Sequence, residues 1–203
     1  MNIVVIIILV IGAISMAGFS QPELMEKYQF NAWRILKNKE YIRLLSHGFF
    51  HGSWMHLFIN MFVLYSFGKA VIHYFSHSIA MNSNLLFLIF FISAIIISSL
   101  YSLSKEKNNP YYNALGASGA VSAVVFATIF YAPYQPIYLF AIIKIPGIIL
   151  GVVFLVYSRI MAQKNNDNIG HDAHFWGAVY GFIFPAVLNT DLIAVFFKKL
   201  LFL

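Results

Sequence analysis

The sequence predicts an all-α, polytopic membrane protein: a bundle of six transmembrane helices, the fourth of them short. Three observations carry this. Of the 203 residues, 61% are hydrophobic and 10% charged, where soluble domains carry roughly 25% charged residues. The mean hydropathy is +0.78. Apolar runs near the ~20 residues needed to cross a hydrocarbon core recur along the chain, separated by polar links. Six such runs use up most of the length, so residues 1–203 read as a single membrane domain. The 21 Phe and 12 Tyr suit lipid-facing surface and interfacial belts.

Composition also excludes several function classes. The net charge of +6 and pI near 9.5 rest on few charges in total, so anionic lipid headgroups explain them better than nucleic acid. Cysteine is absent, which removes disulfides, thiol chemistry and thiolate-held metals.

The first span is expected over residues 3–19. It reads as a retained helix rather than a signal peptide, because Met-Asn supplies no basic leader and no clear small-x-small cleavage site follows. Residues 20–47 hold Glu23, Glu26, Lys27, Arg34, Lys37, Lys39, Glu40 and Arg43 between apolar residues such as Leu24, Tyr28 and Trp33. That is long for a helix–helix link and predicts an interfacial loop with structure of its own. Spans two and three are expected over 53–74 and 85–103, the latter ended by Lys105-Glu-Lys-Asn-Asn-Pro110. Span four covers 118–132 before Pro133 and Pro136. It is too short for a full crossing and predicts a helix starting below the surface behind a buried loop. Span five is expected over 138–160, with Lys144 and Pro146 making its first turns irregular. Lys164-Asn-Asn-Asp-Asn168 is a polar loop, and span six covers 171–188. The tail 191–203, with Lys198 and Lys199, reads as an interfacial helix.

Three polar interruptions carry the chemistry. His51-Gly-Ser-Trp-Met-His56 opens span two, and Asn60 shares a helical face with His56. Gly116-Ala-Ser118-Gly119 opens span four. Ala173-His174, followed by Gly177 and Gly181, opens span six. Polar side chains at the mouths of membrane-length segments are expensive unless they are used. A serine needs a base within hydrogen-bonding reach to become a nucleophile. Gly116, Gly119, Ala120, Ala123 and Ala127 give span four a small face, and Gly177, Ala178 and Gly181 give span six another. Packing those faces brings Ser118 and His174 together at similar depth. His174 is then the general base and later the general acid. Lone serines and histidines of this kind more often pack or tie helices together, and the pairing is what favours chemistry. The seven acidic residues, including Asp167 and Asp172, lie in loops or at span ends. The expectation is therefore a Ser–His dyad without a carboxylate. His56 and Asn60 are assigned to oxyanion stabilisation together with the Ser118 N–H. His51-x4-His56 and His171-x2-His174 lack a carboxylate at ligand spacing, so neither a metal nor another cofactor is expected.

These motifs, in this order and in these spans, resemble the rhomboid family of intramembrane serine proteases over nearly the whole chain. The resemblance implies that Ser118 is the nucleophile, His174 its base, and His56 and Asn60 the oxyanion hole. His51, Gly116, Gly119, Gly177, Gly181 and Arg43 are supporting residues. It implies substrates that are single-span or polytopic membrane proteins, cut near the ends of transmembrane segments. It also implies a site open to the extracytoplasmic side, with a bacterial inner membrane the expected location. The positive-inside count argues for the opposite sense, since the first loop alone holds five Lys and Arg; the expected orientation follows the resemblance. Two departures stand out: Ile42 where an aromatic often precedes the arginine, and Ser122 where many relatives carry an aromatic that packs on the histidine.

Two rival readings belong to other classes. An inactive rhomboid-like protein that binds membrane clients shares the fold but typically lacks the Ser or His. A proton-coupled transporter explains intramembrane histidines without calling for Gly-x-Ser-Gly facing a small-residue helix.

Overall fold

The computed structural model describes residues 2–139, 142–164 and 170–202. The polar run after Lys164, including Asp167, lies outside the described residues. The chain opens with α1 (Ile3–Ser20), capped by the Asn2 side chain, which accepts from the N–H of Val4. The long link that follows does have structure of its own. It holds three short helices, α2 (Pro22–Tyr28), α3 (Ala32–Lys37) and α4 (Arg43–Ser46), and a 3₁₀ turn (His47–Phe49). Arg43, only 2% exposed, is its clasp. Its guanidinium pairs with Glu40 and donates to the carbonyls of Glu26 and Gln29. Hydrogen bonds from Asn38 and Arg43 hold the Glu40 carboxyl below its ordinary value.

Next come α5 (Trp54–Ser78), started by the Ser53 side chain, and α6 (Ser83–Lys105), started by Asn82. Both caps satisfy helix N-terminal N–H groups where the chain enters its apolar run. Then follow α7 (Ser118–Tyr131), α8 (Gly147–Lys164), α9 (His171–Leu188) and α10 (Asp191–Leu200). Among the described residues, α1, α5, α6 and α8 are long and apolar enough to cross a membrane. The 14 residues of α7 rise only about 21 Å, against a hydrocarbon core of about 30 Å. In α9, His171, Asp172 and His174 make the opening turn polar.

The fifth span does not start at Tyr138 as expected. Pro136–Leu139 and Ile143–Pro146 form an antiparallel hairpin, β1 and β2, and the helix begins at Gly147. Pro146 has no N–H and disfavours helix in the residue before it, so a helix from Tyr138 would break there. The Ile and Tyr residues between the prolines favour extended pairing instead.

The core lies where α7 packs on α9, its most extensive neighbour, with α5 packed on α7 and α6 on both. Phe75, Phe87, Phe90 and Phe91 are fully buried in it. Hydroxyl pairs tie helices across this apolar interior, Ser93 to Tyr180 at 2.6 Å and Ser78 to Tyr131 at 2.8 Å. The first link is stapled to the segment before α7: Phe30 bridges to Ala114, and the Asn31 amide donates to the carbonyls of Pro110 and Tyr112. On α10, Leu192 and Phe196 turn inward, and Lys199 donates to the Tyr131 carbonyl.

Candidate active site

Small residues set the distance between α7 and α9. A Cβ at Gly177 would fall on the backbone of Gly119, and one at Gly181 on the backbone of Ala123. The two main chains therefore touch directly, as small-residue faces permit. Gly119 is hemmed in on its other side by Ser98 of α6. With the backbones in contact, His174, one turn before Gly177, meets Ser118, the residue before Gly119: His174 Nε2 lies 2.7 Å from Ser118 Oγ. That is hydrogen-bonding distance for a nucleophile and its base.

Ser118 is the first residue of α7. The first intrahelical bond runs from Val121 N–H to Ala117 C=O. The N–H groups of Ser118, Gly119 and Ala120 thus precede the ladder and point out of the helix N-terminus, where the dipole favours negative charge. Gly116 makes the approach possible for two reasons. Its φ of +120° lies in the left-handed region that favours glycine. A Cβ there would also strike the His56 ring, 2.6 Å from Cε1. His56 therefore lies flush against the loop that carries Ser118.

His51 is fully buried behind that loop. The Ser15 hydroxyl donates to the Phe49 carbonyl, so its oxygen accepts from His51 Nδ1–H at 3.0 Å. The remaining nitrogen, Nε2, then accepts the Ala117 N–H. Burial, with the nearby His56 charge, pushes the His51 imidazole down to about 3. Burial also pushes His47 down to about 4, against a raising bond from the Leu44 backbone. Both rings are neutral at ordinary pH.

A cavity of about 550 Å³ opens onto the pair. His56, Gly116, Ser118, Ala173 and His174 line it, as do His47, Ser99 and Ser102. Asn60 is 4% exposed and lies one turn deeper in α5, where its amide donates to the His56 carbonyl at 2.8 Å. Asp172 is drawn away from His174 to Lys105 at the end of α6, 2.7 Å away. Arg43 serves the first link and takes no part in the cavity wall. Among the described residues, no three His, Asp or Glu side chains gather where they could hold a metal ion.

Sequence reasoning missed two contributors. Ser98, Ser99 and Ser102 form a polar stripe on α6, signalled by three- and four-residue spacing inside an apolar run. Phe154 of α8 lies stacked on His174, with centroids 6.3 Å apart and planes at 29°. No motif pointed to it.

The family model described as "Rhomboid domain" matches residues 38–190, which includes all of these side chains except Ser15. The chain is also similar to RHOMBOID-like protein 12, mitochondrial, of Arabidopsis thaliana, with 27% identity over 143 residues. The alignment covers 66% of this chain and 43% of that relative, so the chain spans less than half of the relative's length. With the domain matched over most of its residues and several helices apolar enough for a bilayer, this chain belongs to the rhomboid family and is a multi-pass integral membrane protein.

Proposed function

We propose that the protein is a serine endopeptidase that cleaves transmembrane segments of other membrane proteins through a Ser118–His174 dyad. The observation that carries this reading is the 2.7 Å contact between Ser118 Oγ and His174 Nε2 at the N-terminus of a short helix. His174 takes the Ser118 proton as Oγ attacks the scissile carbonyl. The oxyanion forms at the N-terminus of α7, among its leading N–H groups and the His56 ring. His174 then gives its proton to the departing amine, and water releases the acyl group by the reverse path. Asn60 acts one step back, by holding His56. In this reading α1, α5, α6, α7, α8 and α9 are the six spans, and α7 starts below the bilayer surface. The link 20–47 and the tail 191–203 lie along the interfaces, and the cavity opens to the extracytoplasmic side. Substrates are single-span or polytopic membrane proteins. The residues that act need neither metal nor cofactor.

The test uses purified protein, a fluorophosphonate probe and a panel of single-span substrates. Labelling and cleavage that both disappear in Ser118→Ala and His174→Ala, in variants that stay folded, support the reading. Substrate binding without cleavage or labelling in the wild type would make it an inactive, client-binding rhomboid instead.

A further inference from the structure

The most deeply buried positions of α8 are all small residues. Gly147, Gly151 and Ser158 are its buried positions, spaced at helical intervals. A Cβ at Gly151 would crowd Ile129 and Phe126 of α7, and one at Gly147 would crowd Ile129. Phe154 falls between these small positions, beside Ile148 and Leu155, which also pack against Phe126, Ile129 and Ala178; among these three it is the aromatic one. It reaches past Phe126, with centroids 5.8 Å apart, to lie on the His174 ring. One turn on, Tyr157 meets the edge of His171, which in turn meets the edge of His174. The helix that supplies these rings is the least buried of the four long apolar helices.

We infer that Phe154 is a positioning residue for His174: its ring fixes the plane of the imidazole from α8, so the dyad is aligned only while α8 is seated against α9. The inference rests on the protease reading for its kinetic consequence but not for its geometry. An imidazole in hydrogen-bond contact with Ser118 can still turn about its own side-chain bonds. A stacked ring removes that freedom, and offset aromatic pairs at this separation are attractive. Position 122, on the same side of α7 as Ser118, holds only a serine, so α7 supplies no ring there. A histidine free to turn spends less time aimed at the hydroxyl, and small misplacements of reacting groups cost large factors in rate.

The experiment compares Phe154→Leu, Phe154→Tyr and Leu155→Ala, the last removing apolar packing that the same helix makes with Phe126, Ile129 and Ala178. Fluorophosphonate labelling rate, kcat and KM on one single-span substrate, and Tm are read for each. Phe154→Leu is expected to slow labelling and kcat about ten- to a hundredfold with KM unchanged. Phe154→Tyr should retain the wild-type rate, and Leu155→Ala should lower Tm without that loss of rate. Wild-type labelling in Phe154→Leu, or a slowing no greater than that of Leu155→Ala at equal Tm, overturns the inference. Proton NMR separates it from the protease reading. The His174 ring resonances, assigned by their loss in His174→Asn, should shift in Phe154→Leu and stay in place in Leu155→Ala. They do so whether or not the chain cleaves anything. Unmoved resonances in Phe154→Leu refute the stack, while an unlabelled wild type with moved resonances refutes only the protease.

Discussion

His51 Nε2 accepts the N–H of Ala117, 3.4 Å away and 66 residues further along the chain, one peptide before Ser118. The ring can accept there because its other nitrogen donates to Ser15, whose own proton is committed to the Phe49 carbonyl. A relay from α1 thus ends on the backbone that presents the nucleophile.

His51→Ala is expected to lower both Tm and labelling rate, since it leaves a buried N–H unpaired at a cost of about 1–3 kcal/mol. Ser15→Ala should give a milder version of the same change, because His51 Nδ1–H then loses its acceptor while Nε2 still accepts the Ala117 N–H. Differential scanning fluorimetry and probe labelling check both. An unaltered rate in His51→Ala would detach this relay from the site.

His56→Ala should reduce kcat more than it raises KM, by about 10²–10³ if the ring supplies an oxyanion donor. Asn60→Ala is expected to cost less, because Asn60 bonds to the His56 carbonyl rather than lining the cavity. Steady-state kinetics on one substrate rank the pair. The reverse order would make Asn60 the direct donor.

Gly177→Ala and Gly181→Ala place a methyl on the backbone of α7. No side chain can swing aside to relieve that, so each should cost more than the ~1–3 kcal/mol of ordinary core overpacking. Gly116→Ala adds left-handed strain to a collision with His56. It should abolish labelling even where the rest of the fold survives, which circular dichroism alongside labelling would reveal.

Acid should destabilise the fold earlier than its few carboxylates suggest. In the unfolded chain His47 and His51 take up protons near the ordinary value of 6.5, but in the folded protein only near 4 and 3. Between those values the unfolded state binds more protons. Stability therefore falls as pH drops below about 6.5, by up to about 1.4 kcal/mol per pH unit for each ring. Tm in detergent should be level from pH 8 to 7 and decline steadily towards 4.5. A level Tm down to pH 5 would contradict the burial of both rings.

Much of this site was legible in the chain because its parts are local. Gly116-Ala-Ser118-Gly119 and His174 with Gly177 and Gly181 are short patterns whose spacing dictates a face, and helix faces of small residues dictate a partner. The hairpin before α8 was hidden for the opposite reason. Apolar content around Tyr138 reads the same in a strand as in a helix, and only the absent N–H of Pro146 tells them apart. Phe154 was illegible because one Phe among 21 carries no signal until α8 is seated. Lys105 and Asp172 likewise sit 67 residues apart, and nothing in either neighbourhood names the other.

Gly119 and Ala123 are four residues apart on one helix, and the residues that meet them, Gly177 and Gly181, are four apart on the other. Two rods notched at the same interval cannot slide past each other by less than a turn without driving a side chain into a main chain. The dyad is therefore sensitive to counting more than to chemistry. One residue inserted between His174 and Gly177 would swing the imidazole about 100° around α9. Four inserted residues would nearly restore its direction but lift it about 6 Å along the axis. Insertions and deletions within this single turn should be far less tolerated than substitutions beside it.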